Sequence, residues 1–166
     1  MASFEFLAII FTGIGLIVSI LYYTFTLQNA NKTRQAQMFM NIYNRASSKE
    51  HNQSRNHLLF IECETLDDFK RLFLPTSEKP VNENWEALGV QHSYYEGLGA
   101  MVREGLIPIR YVALLQAGVT RKLWEKYGPF LLALKDELDY QRIASEWEYL
   151  YNELMKYIKE HPELVT

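Results

Sequence analysis

A chain of 166 residues with one cysteine and four histidines can hold one hydrophobic core plus an extra element, and it cannot form an intrachain disulfide. Its formal charge of −3 and pI near 5.8 average over dissimilar parts, and the basic patch at residues 28–55 is too small to argue for nucleic acid. Those averages conceal a sharp division, because the first 31 residues contain no Lys or Arg and all 17 basic residues come afterwards.

Within that basic-free start, Phe6 to Leu27 runs 22 residues without a charge. At the helical rise it spans roughly 33 Å, enough for a hydrocarbon core of about 30 Å. The run is apolar around its whole circumference, which suits lipid better than the one-sided contact of a soluble core helix. A signal peptide is the competing assignment, but Glu5 stands where a basic n-region belongs and no small-x-small cleavage site follows. The expectation is an uncleaved anchor. Lys32, Arg34, Arg45, Lys49 and Arg55 follow the span and no basic residue precedes it, so the positive-inside bias places the N-terminus outside and the remainder in the cytoplasm. Tyr22, Tyr23 and Phe25 fall at the inner interface, Phe4 and Phe6 near the outer one. Lys32 and Arg34 lie close enough to an anionic leaflet to contribute about 1 kcal/mol each as membrane-surface contacts. The acidic C-terminal end, eight acidic against three basic residues from 136 to 166, is repelled by the same surface.

The reading divides the chain into an anchor (1–30), a juxtamembrane stalk helix (31–50) and a cytoplasmic helical domain (51–166). Neither Gly nor Pro occurs between Leu16 and Ala46, which predicts one continuous helix from Phe4 to Ala46. Ala36, Phe39, Met40, Tyr43 and Ala46 form its expected packing face. Ser47 and Ser48 end it. No alternating β-branched run marks a strand, so the fold class is all-α, a bundle of five to seven helices. Short helices are expected at Arg55–Glu62 and at Leu66–Phe73, the latter capped by Thr65 with Asp67 and Asp68 in its first turn. Cys63, between them, reads as a small, partly buried apolar residue. The sequons at Asn31 and Asn52 matter only with the opposite topology.

Pro75 and Pro80 bracket a loop, and from Val81 a long helix presents Trp85, Leu88, His92, Tyr95, Gly99, Val102 and Leu106 as a seam. Gly89, Ser93 and Gly97 recur every fourth residue on a second, small-residue face that would let another backbone approach, and they are the candidate interaction residues. Gly105 and Pro108 break the chain, and a helix from Pro108 to Gln116 is followed by another opening at Thr120, with a kink or division at Gly128-Pro129. A last helix runs from Tyr140 to Glu160, aligning Ile143, Trp147, Leu150, Tyr151, Leu154 and Ile158. Eleven Tyr, nine Phe and three Trp give the domain an aromatic core.

Several of these segments resemble a known family. Thr33-Arg34-Gln35-Ala36-Gln37 after the anchor, Tyr95-Glu96-Gly97-Leu98-Gly99 continuing to Arg103-Glu104-Gly105-Leu106-Ile107, the Trp124-Glu125 pair and Trp147-Glu148-Tyr149-Leu150-Tyr151 follow the order found in a family of uncharacterised prokaryotic single-pass membrane proteins. Each member has a small helical cytoplasmic domain, a domain of unknown function. The resemblance implies architecture and topology and transfers no catalytic residues.

Motifs that carry chemistry are missing from the sequence: there is no His-Glu-x-x-His, no Glu-x-x-His of the di-iron kind, no phosphate-binding loop and no nucleophile elbow. Gly97-Leu98-Gly99 has Val102 in place of the third glycine of a dinucleotide fingerprint. No cofactor is expected. The one pair worth weighing is His92 and Glu96, a turn apart, which in a wet groove are candidates for holding a metal or for acid–base work. Read structurally, His92 fills the seam while Glu96 pairs with Arg103 or Arg110. Two functions stay open: a membrane-anchored interaction module, an accessory or structural subunit of a larger membrane complex or a homo-oligomer; or a small-ligand or metal-binding sensor or enzyme built on His92 and Glu96. A third possibility is that the basic stalk reads lipid head groups.

Overall fold

A computed structural model describes residues 2–137 and 139–164. Among them are six α-helices and a closing 3₁₀ turn, with no strand, so the all-α expectation holds. The chain forms two compact units, residues 1–41 and 42–166.

The first unit lies within α1 (Ala2–Ala46), unbroken where the absence of Gly and Pro predicts. Among the described residues one helix is long and apolar enough to cross a membrane, and it is this one. Side chains from Phe4 to Leu27 are exposed throughout. The hydroxyls of Thr12, Ser19, Thr24 and Thr26 each donate to the carbonyl four residues back, at 2.8 Å, so these polar groups are satisfied inside the helix itself. Lys32 and Arg34 are exposed. Burial further along α1 matches the expected face only in part. Ile42 is buried, Phe39 and Ala46 are half-buried, and Ala36, Met40 and Tyr43 are exposed. Phe39, Ile42 and Ala46 keep helical spacing, with Ile42 supplying apolar bulk that carries no hydroxyl, unlike Tyr43.

The second unit contains α2 (Lys49–Phe60), α3 (Leu66–Phe73), α4 (Glu83–Arg103), α5 (Ile109–Ala133) and α6 (Ser145–Glu160). Short polar side chains start three of them. Ser48 accepts from the His51 amide, Thr65 from the Asp68 amide as expected, and Asn82 from the amides of Asn84 and Trp85. Asn82 and Asn84 also donate to the Leu72 carbonyl, at 3.0 and 2.9 Å, tying the end of α3 to the start of α4. The end of α2 is held by α5: the Lys126 ammonium donates to the carbonyls of Leu58, Leu59 and Ile61, and the Tyr127 hydroxyl to Leu58 at 2.6 Å. A cation there also meets the negative end of the helix dipole.

Helices α4, α5 and α6 enclose the core, with α2 against α4. Trp147 of α6 is fully buried, stacked on Tyr95 at 4.9 Å and edge-on to Trp124 at 5.5 Å. A second aromatic group stacks Phe69 on Phe73 at 4.7 Å with Tyr127 beside them. Local breakers prove weaker than this packing. The two helices expected around Gly118 are one, and α5 also passes through Pro129. Leu123, Trp124, Tyr127 and Leu131 bury a single continuous stripe, which outweighs one lost backbone hydrogen bond. Gly128 is needed there, since a Cβ would come within 2.6 Å of the Trp124 ring. The last helix begins five residues later than its apolar spacing suggests. Residues 140–144 form turns that still bury Ile143 and Ala144.

Among the glycines the least room is at Gly99, where a Cβ would lie 2.0 Å from the Glu146 carbonyl oxygen of α6. Gly99→Ala should therefore cost about 3 kcal/mol by forcing α4 and α6 apart. Gly97→Ala, whose Cβ meets nothing within 4 Å, should instead stabilise by up to about 1 kcal/mol through helix propensity. Urea unfolding of the full chain in nanodiscs, followed by tryptophan fluorescence, measures both.

Candidate functional site

His92 and Glu96 share one face of α4, but the structure gives Glu96 a task of its own. Its Oε1 accepts the backbone N–H groups of Glu146 at 3.0 Å and Trp147 at 2.8 Å. Helix α6 lacks a cap from its own sequence, because the N-cap position is Ala144, with φ of 58° and no side-chain acceptor. Glu96 supplies that acceptor from another helix, and its charge faces the positive end of the α6 dipole. The expected partner of Glu96, Arg103 or Arg110, is replaced. Arg103 Nε donates to Glu146 Oε2 at 2.7 Å, and its guanidinium lies 3.9 Å from the centre of the Tyr149 ring. Arg103 needs a carboxylate it can reach near the surface, whereas Glu96 is already taken by backbone donors. Among the described residues, no group of three His, Cys, Asp or Glu side chains stands ready to hold a metal.

His92 borders a cavity of about 230 Å³ lined by Trp85, Leu88, Gly89, His92, Leu131, Tyr140 and Ile143. Its ring meets Trp147 edge-on, with centroids 6.3 Å apart. Nε2 is buried without a hydrogen-bond partner among the described residues. Burial lowers the His92 pKa, and the nearby Glu96 charge opposes this only in part, which favours the neutral ring. A neutral imidazole in an apolar lining can exchange one hydrogen bond with a guest.

The row Gly89, Ser93 and Gly97 is exposed, and neither glycine meets another backbone. The close approach that α4 needs in its own fold uses Gly99, two positions from the seam's end. The exposed row leaves a shallow, small-residue strip on α4, with Gly89 at the edge of the cavity.

A buried polar cluster between α2, α4 and α5 escapes the sequence reading. His51 and Gln91 are fully buried. Gln91 Nε2 donates to the His51 carbonyl at 3.0 Å and to Ser54 Oγ at 2.6 Å, with His51 Nδ1 at 3.3 Å. Tyr94 packs on the His51 ring at 4.4 Å and accepts from Gln116. Gln91 falls between Leu88 and Tyr95 at spacings of three and four, and that register was the available signal. Burial, then the charges of Arg55 and Arg45, push the His51 pKa down to about 4, against a small upward pull from Glu50.

Comparison with protein-family models, curated proteins and solved structures finds no match for this chain.

Glu96→Ala should cost about 2 kcal/mol by leaving two α6 amides without their acceptor, and Glu96→Gln about half of that, since an amide oxygen keeps the bond and loses the charge. Urea titrations of the two variants test the ordering. For His51, the folded pKa lies below the ordinary value of 6.5, so the unfolded chain binds the proton more readily. Stability is then complete above about pH 6.5 and falls as pH drops toward about 4, by on the order of 2 kcal/mol. His51→Gln should flatten that limb, as unfolding measured at pH 7, 5.5 and 4.5 would reveal.

Proposed function

We propose that this protein is a single-pass membrane protein presenting a helical domain at the cytoplasmic face, where it serves as an accessory or structural subunit of a larger membrane assembly. The observation that carries the membrane half of this reading is α1: 22 uncharged residues from Phe6 to Leu27, exposed along their length, with every Ser and Thr hydroxyl bonded to the helix's own carbonyls. Such a segment leaves no unpaired Ser or Thr hydroxyl in hydrocarbon and has no protein surface covering it. The basic residues after it support an N-outside orientation, with Lys32 and Arg34 meeting lipid head groups.

The interaction half rests on the exposed strip Gly89, Ser93 and Gly97, and on Glu96, whose carboxylate is engaged in capping α6. The assembly partner is a membrane protein or a second copy of this chain.

Full-length protein should stay in the membrane pellet after alkaline carbonate extraction. Trypsin should digest residues 42–166 in inside-out vesicles and spare them in right-side-out ones. Release by carbonate overturns the anchor, and digestion from the outer side overturns the orientation. Cross-linking in native membranes followed by mild detergent should recover a defined complex, and a chain that runs alone as a monomer overturns the subunit reading.

A further inference from the structure

We propose that the cavity between α4, α5 and residues 140–143 binds a small, flat, uncharged aromatic molecule of about two fused rings, carrying one hydrogen-bond donor that His92 accepts. Size is the first argument. The cavity measures about 230 Å³, larger than the roughly 150 Å³ apolar cavity that takes up benzene, and below the roughly 300 Å³ at which drug-sized sites begin. The lining is the second. Trp85, Leu88, Leu131 and Ile143 are apolar, Leu88 and Leu131 are almost wholly buried, and among the described residues no Lys, Arg, Asp or Glu lines the space. A charged guest would lose its hydration there and find no counter-charge. Trp85 offers an indole face for stacking.

His92 supplies the polar contact. Its Nε2 is sealed inside the protein, on a ring packed against Trp147, so the imidazole meets a guest through its other edge, which bears Nδ1. We assign the proton of the neutral ring to the sealed Nε2, which leaves Nδ1 as an acceptor. Exposed Gly89 and half-exposed Tyr140 mark the mouth. Gly89 has open space where a Cβ would be, so the entrance lacks a side chain that the fold could accommodate.

The test titrates indole, then naphthalene, into the full chain in nanodiscs, reading methyl resonances of Leu88, Leu131 and Ile143. Saturable shifts at those methyls are expected for both probes. Gly89→Leu, which places a good helix former over the mouth, should keep a dispersed methyl spectrum and lose the shifts. His92→Leu should weaken indole about fivefold to tenfold, the range of one hydrogen bond, and leave naphthalene unchanged. Wild-type methyls that do not saturate, or shifts that persist in Gly89→Leu or concentrate at Ile9 and Ile17 of α1, would overturn the site. Equal weakening of both probes by His92→Leu would overturn the hydrogen bond.

Discussion

The helical domain depends on the seating of α6 on α4. Two features three residues apart in sequence set it. At Gly99 the backbones approach so closely that no side chain fits, and at Glu96 a carboxylate takes up the first free amides of α6. One is a steric condition and the other an electrostatic one, and they fix different degrees of freedom: the distance between the helices, and the point along α4 at which α6 begins. Arg103, joined to Glu146 at 2.7 Å, adds a clasp one turn beyond. Because α6 cannot cap itself, its first turn is formed only where α4 is already in place.

Seated in this way, α6 delivers Trp147 against Tyr95 and Trp124, and the aromatic groups of α4 and α5 become one layer. One turn back along the same face of α4 the packing becomes polar. There His51, Ser54 and Gln91 share hydrogen bonds in a buried cluster, and losing any of them would strand another polar group. The apolar part supplies most of the burial, and the polar part restricts which register of α2 on α4 is acceptable. Lys126 and Tyr127 make the same selection from α5, since they reach the α2 carbonyls only with that helix end in place.

Helical character and most of the buried faces were legible in the sequence because they depend on spacing. Leu88, Tyr95, Gly99, Trp124, Trp147, Leu150 and Leu154 are at the positions that periodicity names, and Thr65 caps as its composition suggests. Errors gathered where a distant residue decides a local matter. Gly118 and Pro129 look like breaks until the stripe along α5 is seen to be continuous. Glu96 is expected to pair with Arg103 or Arg110, and α6, 50 residues away in sequence and without a cap of its own, engages it instead. Gly89, Ser93 and Gly97 match the spacing of a close-packing face better than Gly99 does, yet only the geometry of a second helix can tell which glycine is required. Gln91 sits in an apolar register, and nothing near it in sequence announces the histidine it meets.

Glu96 also sets an order of events in time. The chain emerges from the ribosome N-terminus first, at about 5–20 residues per second, and α4 is complete some forty residues before α6 begins. For those few seconds the faces of α4 and α5 that bury Trp147 have nothing to cover them, and the Glu96 carboxylate has no amides to accept. The domain closes only when nearly its last segment arrives. Loss of α6 would then remove more than one helix: it would leave the faces of α4 and α5 that bury Trp147 permanently uncovered, the kind of exposed aromatic surface that quality-control proteases recognise.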